Sequence, residues 1–254
     1  MSANTPVTPR AAATCVLMRP RAGGGIEVFM VRRHIQSEFA PDVYVFPGGS
    51  VDAGDRQAEE TPGLCAPAGE GPTALGSGFR VAALRECFEE AGVLLAHHGA
   101  ATLAFGEDDL ARYAAYRAAL QQRQMTMATL AQQEGLTLAT DVLIAWAHWI
   151  TPEAFPKRFD THFFLAEMPP TQQAAHDELE TTDSVWIAPE DASAGYERGE
   201  FPLVFAQIHQ LRDLHGLRTF DDARARFGGQ QPRTIMPRVV ERDGGQVILL
   251  PDED

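Results

Sequence analysis

A mixed α+β sandwich is the fold class this sequence predicts, and three observations carry it. Short apolar, β-branched runs lie both before and after the helical segments. Neighbouring runs are joined by glycine-rich, hairpin-type turns, which disfavours a doubly wound parallel sheet. One central stretch, FRVAALRECFEEAGVLLA, repeats its apolar residues at helical spacing.

Taken in order, residues 1–10 are polar and Pro-rich, the composition of a disordered tail. ATCVLMRP and IEVFMVRRH are predicted strands joined through RAGGG, and VYVFPGG ends another at a Pro-Gly-Gly turn. From Asp52 to Gly78 the composition shifts to Gly, Pro, Ala and Glu, which predicts a loop. In the helix that follows, Val81, Leu84, Cys87, Phe88, Ala91 and Leu95 form the core-facing stripe. Residues 107–134 predict one or two more helices, starting near Asp108 or Asp109 and serving packing rather than chemistry. LIAWAHWITPE, RFDTHFFLAEMPP and DSVWIAPED read as strands, 189–197 and 202–215 as helices, and MPRVVERDGGQVILLP as a hairpin about Asp243-Gly244-Gly245. Trp146, Trp149, Phe163 and Phe164 are assigned to the core.

Composition narrows the function. The chain has 254 residues, 44% of them hydrophobic, enough for a proper core. With 35 acidic against 21 basic side chains its formal net charge is −14, which repels nucleic acid and anionic membrane surfaces. Any anionic substrate therefore needs a cation or a local basic patch. No apolar run approaches the roughly 20 residues of a membrane span, and the first residues lack the order of a secretion signal, so the expected compartment is the cytoplasm. Cys15, Cys65 and Cys87 are odd in number and scattered, which fits reduced thiols. The spacing of His34, His148 and His162 gives no zinc signature.

One stretch breaks the pattern of dispersed charge. Arg85-Glu86-Cys87-Phe88-Glu89-Glu90 puts one arginine and three carboxylates in six residues, and helical geometry turns Glu86, Glu89 and Glu90 toward one face. Such carboxylates repel one another unless a hard divalent cation satisfies them. Arg85, four residues before Glu89, is placed to pair with it.

The surrounding residues extend this into a recognisable set. Gly48-Gly49 precede the helix in FPGGSVDAGD, and Gly92 follows the carboxylates. The chain resembles the Nudix hydrolase family, whose box is written G-x5-E-x7-R-E-U-x-E-E-x-G-U, with U a bulky aliphatic residue. Gly49, Asp55, Arg85, Glu86, Cys87, Glu89, Glu90, Gly92 and Val93 take its positions in order. Three departures stand out: Asp55 replaces Glu, Cys87 takes an aliphatic position as a packed thiol, and 29 residues (56 to 84) stand where the motif has seven. The alternative register, with Gly71 and Ser77 in the glycine and acid positions, leaves FPGG unexplained and puts serine where an acid belongs.

The resemblance implies a Nudix fold, a mixed β-sheet in an α/β/α sandwich, with an added helical segment and C-terminal helices plus a hairpin. It implies one such domain over residues 11–254, carrying a loop insertion at 56–78 and a helical insertion at 107–134. It further implies hydrolysis of a small-molecule diphosphate with Mg²⁺ or Mn²⁺, with Glu86, Glu89 and Glu90 as metal ligands, Glu89 among the catalytic residues, and Arg85 orienting the carboxylates. The Gly48 and Gly49 backbone is expected to approach metal or phosphate. Glu180, six residues before Trp186, matches the extra glutamate of some members and is a candidate ligand or general base; an acidic surface loop is the alternative. A homodimer is left open, dimers being common among relatives.

Within the family, the long loop, VRRHIQSEFAPDVYVFPGG, KRFDTHFFLAEMPP and the closing hairpin are most similar to the branch that cleaves coenzyme A or acyl-CoA to 3′,5′-ADP and (acyl-)4′-phosphopantetheine. Arg33 and Arg158 are the candidate phosphate contacts, with ordinary strand-edge charges as the alternative. ADP-ribose or dinucleotide cleavage, and a catalytically quiet nucleotide-binding module, stay open as other readings.

Overall fold

In a computed structural model of the chain, the residues described are 6–36, 40–68, 78–177, 181–242 and 244–253. The chain enters through β1 (Arg10–Pro20), whose middle is buried on both faces, and turns into β2 (Ile26–Arg33). RAGGG makes that turn as expected, with Gly23, Gly24 and Gly25 all at positive φ, a region open to glycine at little steric cost. Two short strands follow, β3 (Tyr44–Val45) and β4 (Gly48–Ser50), then helix α1 (Ala53–Glu60) and the carboxylate helix α2 (Phe79–Ala91). Strands β5 (Ala96–His98) and β6 (Ala101–Thr102) lead into α3 (Asp109–Gln121) and α4 (Met127–Glu134), after which β7 (Thr137–Leu138) pairs back with β5. The long strands β8 (Ile144–Ile150), β9 (Phe159–Glu167) and β10 (Thr181–Ile187) come next. Helices α5 (Pro189–Glu197), α6 (Phe205–Asp213) and α7 (Phe220–Phe227), strand β11 (Thr234–Ile235), and the hairpin β12 (Arg238–Arg242) and β13 (Gly245–Leu249) complete the chain.

The main sheet runs β10-β2-β1-β9-β8-β11 and is mixed: β1 pairs with β9 in parallel and with β2 antiparallel. Two cores sandwich it. Ala13, Cys15 and Leu17 of β1 point to one side, where Val81, Leu84, Cys87 and Phe88 of α2 cover them with residues of α1, α3 and α4. Val16 and Met18 point to the other, against Ala192, Leu211 and Phe220 from α5, α6 and α7. This is the α/β/α sandwich of the Nudix fold. Trp146, Trp149, Phe163 and Phe164 are all buried, as assigned. Among the described residues no helix is long and apolar enough to cross a membrane.

Several elements depart from expectation. The stretch after Asp52 is not all loop: α1 forms there, started by a capping box in which the Asp52 side chain accepts from the Asp55 amide and Asp55 accepts from the Asp52 amide. Residues 69–77 of the expected 56–78 loop lie outside the described residues, as does Asp243 of the final hairpin turn. The strand expected in VYVFPGG is β3, which ends at Val45 before Pro47, but the glycines begin a further strand, β4, which pairs with Ala12–Thr14 of β1. Helix α7 was hidden by its charge, since only Phe220 and Ala223 of its residues are buried.

β1 is the pivot of the site. Its last residues, Met18–Pro20, pair with β2, whereas Ala12–Thr14 on the same edge pair with β4. The sheet thus splays open beside β1, with α2 packed over the strand that fills the gap. Phe88 is 1% exposed in the core beneath α2. Phe88→Ala should lower unfolding free energy by about 3–5 kcal/mol in urea titrations, the cost of a large core truncation.

Candidate active site

The site is organised around one guanidinium. Arg85 is 9% exposed and donates from Nε and Nη2 to the two oxygens of Asp55, at 2.9 and 3.0 Å, a bidentate fork. Nη1 donates to Glu86 at 2.8 Å and Glu89 at 3.4 Å, and Nη2 also reaches the Ser50 carbonyl at 2.8 Å. The expected Arg85–Glu89 pair is present, yet Asp55 and Glu86 are the tighter partners. Burial disfavours the charge on Arg85, but Glu86 and Asp55 together hold it protonated. Burial likewise raises Asp55, opposed by Arg85, and lifts Glu86 to about 7, with Glu89 adding to the rise.

The fork places Asp55 beside Arg85 despite the long separation in sequence, and β4 supplies the opposite wall. The Gly48 amide donates to Glu90 Oε2 at 3.0 Å. A Cβ on Gly49 would sit 2.7 Å from the Glu86 carboxyl carbon, and one on Gly48 would lie 2.8 Å from the Ala13 carbonyl. Glycine is required here by close approach rather than by backbone angle. The Gly48 N–H is taken by Glu90 and Gly49 abuts Glu86, so the backbone of both glycines lies against carboxylates named as metal ligands. Glu86 and Glu90 are buried, at 8% and 6% exposure, and Glu89 is half-buried.

The remaining candidates divide. Arg33 ends β2 in register with Thr181, and its buried Nε has no hydrogen-bond partner among the described residues. Arg158 is not joined to the carboxylates by any described hydrogen bond. Its Nε, Nη1 and Nη2 donate to the Thr151 carbonyl, the Val7 carbonyl and the Met236 sulfur. Glu180 lies outside the described residues; Thr181, at the start of β10, donates from backbone and hydroxyl to Asp177 Oδ1 at 3.1 and 2.8 Å. Burial pushes the Cys87 thiol well up, helped by Cys15, and lifts Cys65 to about 11, so neither is a ready nucleophile.

One grouping was invisible in linear spacing. His148 and His162 face each other across β8 and β9 with Asp160 alongside, their ligand-type atoms within 4.8 Å of one another. The two rings stack at 4.0 Å and 11°, so their lone pairs run side by side instead of converging on one ion. His148 is also already held between Thr234 and Asp160. His162 stacks on His148, and its Nδ1 is buried with no hydrogen-bond partner among the described residues.

Sequence reasoning anticipated a helix at α3 but missed the contacts that two of its side chains make with α2. Arg117 Nε and Gln121 Nε2 both donate to the Glu89 carbonyl, at 2.9 and 2.8 Å, while the same two side chains reach the Ala175 carbonyl and Asp177. Nothing in an Ala/Gln/Arg-rich helix announces which surface it will pack on.

A mixed sheet between two helical layers, with an arginine-centred carboxylate cluster on the helix beside a Gly-Gly strand, defines a Nudix-type domain. A family model described as the NUDT19 Nudix domain matches residues 68–214, more than half of the chain, so this chain belongs to that family of Nudix hydrolases. The chain is 28% identical over 221 residues to a Caenorhabditis elegans protein bearing the name nudix hydrolase 7, covering 87% of this chain and 66% of that one. It is 26% identical over 278 residues to the human protein named acyl-coenzyme A diphosphatase NUDT19, covering 93% and 74%. The crystal structure of a NUDIX hydrolase from Alicyclobacillus acidocaldarius superposes with a TM-score of 0.72 at 27% identity, covering 89% of this chain and 99% of that one. The chain thus spans about two thirds to three quarters of the length of these two curated relatives. The family match begins at residue 68; upstream, the Arg85–Asp55 fork and the Gly48–Glu90 bond tie Gly48–Asp55 to the helix.

Two outcomes follow from this geometry. Asp55→Ala leaves Arg85 buried without its main partner and should destabilise the fold by about 3–5 kcal/mol, read by chemical denaturation at neutral pH. Burial, reinforced by His148, holds His162 down to about 4. An unfolded histidine titrates near 6.5, so between about 6.5 and 4 the unfolded chain binds the extra proton and stability falls as pH drops through that window. Denaturation midpoints of His162→Gln should lose part of that decline.

Proposed function

We propose that this Nudix hydrolase cleaves the diphosphate of coenzyme A or an acyl-CoA. Water adds to one phosphorus, the bridging P–O bond breaks, and the products are 3′,5′-ADP and 4′-phosphopantetheine or its acyl form. The observation that carries the reading is the crowding of Asp55, Glu86 and Glu89 about a single buried Arg85, with buried Glu90 held by the Gly48 amide, an excess of negative charge that oxygen-preferring divalent cations satisfy. The choice of coenzyme A rests on the name of the human relative, which aligns with 93% of this chain.

Glu86, Glu89 and Glu90 are the residues that would hold Mg²⁺ or Mn²⁺; the donor set is all oxygen, as those ions prefer. When bound, such an ion neutralises diphosphate charge and lowers the pKa of a coordinated water. The protein's own part is positional. Asp55 fixes Arg85, Arg85 fixes Glu86 and Glu89, and the Gly48 amide fixes Glu90. Arg33 is a candidate phosphate contact, since its Nε lacks a hydrogen-bond partner among the described residues. Glu180 remains the candidate general base.

The test is a chromatographic turnover screen with Mg²⁺ or Mn²⁺ against CoA, acetyl-CoA, a long-chain acyl-CoA, ADP-ribose, NADH and diadenosine polyphosphates. Release of 3′,5′-ADP from the CoA compounds alone is expected; cleavage confined to ADP-ribose or dinucleotides would overturn the substrate. Glu90→Gln should cut turnover by about 100-fold or more with the fold intact by circular dichroism. Near-normal turnover would remove Glu90 from the ligand set.

A further inference from the structure

The carboxylate helix ends awkwardly. Glu89 and Glu90 sit in the last turn of α2, where the helix dipole is negative and acidic side chains are disfavoured, and that turn holds no basic residue. The compensation comes from α3. Arg117 is half-buried, and its Nε and the Gln121 amide both donate to the Glu89 carbonyl, one of the groups that the end of a helix leaves without an internal partner. The Arg117 guanidinium also lies within the electrostatic reach of Glu90 and Asp177.

The same two side chains hold a second strip of chain. Arg117 Nη2 donates to Ala175 O at 3.0 Å and Gln121 Nε2 to Asp177 Oδ2 at 3.3 Å. That strip is itself laid along the helix end: the Ala175 amide donates to Ala91 O at 2.9 Å, and buried Gln172 bonds both the amide and the carbonyl of Leu94. Arg117 and Gln121 therefore bridge the turn that carries two of the candidate metal ligands and the segment whose Asp177 closes onto Thr181 at the start of β10.

We infer that Arg117 and Gln121 are positioning residues for hydrolysis, and that helix α3 serves to set the register between the Glu89–Glu90 turn and the Asp177 strip. The inference rests on the reading of Glu86, Glu89 and Glu90 as a divalent-metal site. It predicts an effect on metal binding as well as on stability, since displaced backbone at Glu89 misplaces two carboxylates at once. Partners of this supporting kind typically alter metal affinity or activity by about 10–100-fold when removed.

The experiment uses the full chain. Mn²⁺ binding is followed by electron paramagnetic resonance, and kcat and KM are measured on acetyl-CoA, for wild type, Arg117→Ala, Arg117→Lys and Gln121→Leu, with melting temperatures recorded alongside. Arg117→Ala should weaken Mn²⁺ binding about tenfold and lower kcat by about 10–100-fold, with KM within about twofold. Arg117→Lys restores the charge but not the fork and should recover part of the loss. Gln121→Leu keeps the side-chain volume and the Arg117 bonds, so it remains informative if Arg117→Ala fails to fold, and it should show a smaller shift in the same direction. Wild-type Mn²⁺ affinity and kcat in folded variants that merely melt lower would overturn the inference and leave α3 as packing. A wild-type chain that binds Mn²⁺ but spares acetyl-CoA would redirect the substrate reading while the Mn²⁺ titrations still decide this one; a wild type that binds no Mn²⁺ would sink both.

Discussion

The contact on which the site depends is the buried fork between Arg85 and Asp55. It joins three elements that sequence order keeps apart: α2 through Arg85 itself, α1 through Asp55, and β4 through the Ser50 carbonyl. Buried ion pairs contribute little net stability against an apolar replacement, yet breaking one is severe because the survivor is left charged and dry. That asymmetry explains why the pair can specify an arrangement without being a large source of stability. Once it forms, Glu86 and Glu89 have a fixed donor to face and the charges of the cluster are partly offset.

The same contact accounts for the tolerated insertion. Lengthening a connection from seven to 29 residues adds only about 1 kcal/mol of closure entropy, because the cost grows with the logarithm of length. A hydrogen bond to a charged group contributes about 1.5–3 kcal/mol, and Arg85 makes two to Asp55. The added loop is a small cost beside the penalty of leaving Arg85 buried without its partner. Part of the insertion is also not loop at all, since α1 orders residues 53–60 and presents Asp55 from its first turn.

The legibility of the sequence followed the range of the forces involved. Helix α2 was readable because Val81, Leu84, Cys87 and Phe88 bury one stripe at helical period, and β1 and β2 because their apolar runs are bounded by a triple glycine. Helix α1 was not readable by apolar pattern: of AGDRQAEE only Asp55 and Ala58 are buried, and one of those is a charge held by tertiary contact. Its signal lay instead in the cap, Asp52 with an acid three residues on, and α7 carries the same kind of signal in Thr219 and Asp222. Of the site, the box glutamates, Arg85 and the glycines were named from the motif. For Arg158, nothing in the sequence says that its donors reach the Thr151 and Val7 carbonyls. Arg117 and Gln121 were missed because their partners lie 28 and 32 residues upstream, at Glu89.

The carboxylates occupy the end of α2 that helix electrostatics would leave to cations, and every device that makes this tolerable comes from elsewhere in the chain. Gly48 donates to Glu90 from β4, Arg117 and Gln121 cover the Glu89 carbonyl from α3, and Asp55 holds Arg85 from α1. Each local rule broken in α2 is thus answered by a distant element, a pattern expected where function rather than stability selects the residues. A helix chosen for stability would carry lysine or arginine in that last turn and need none of these partners. The distribution of compensating contacts marks the final turn of α2 as the part of the molecule shaped by chemistry. It also explains why α1, α3 and β4 converge there although each is short or marginal by its own sequence.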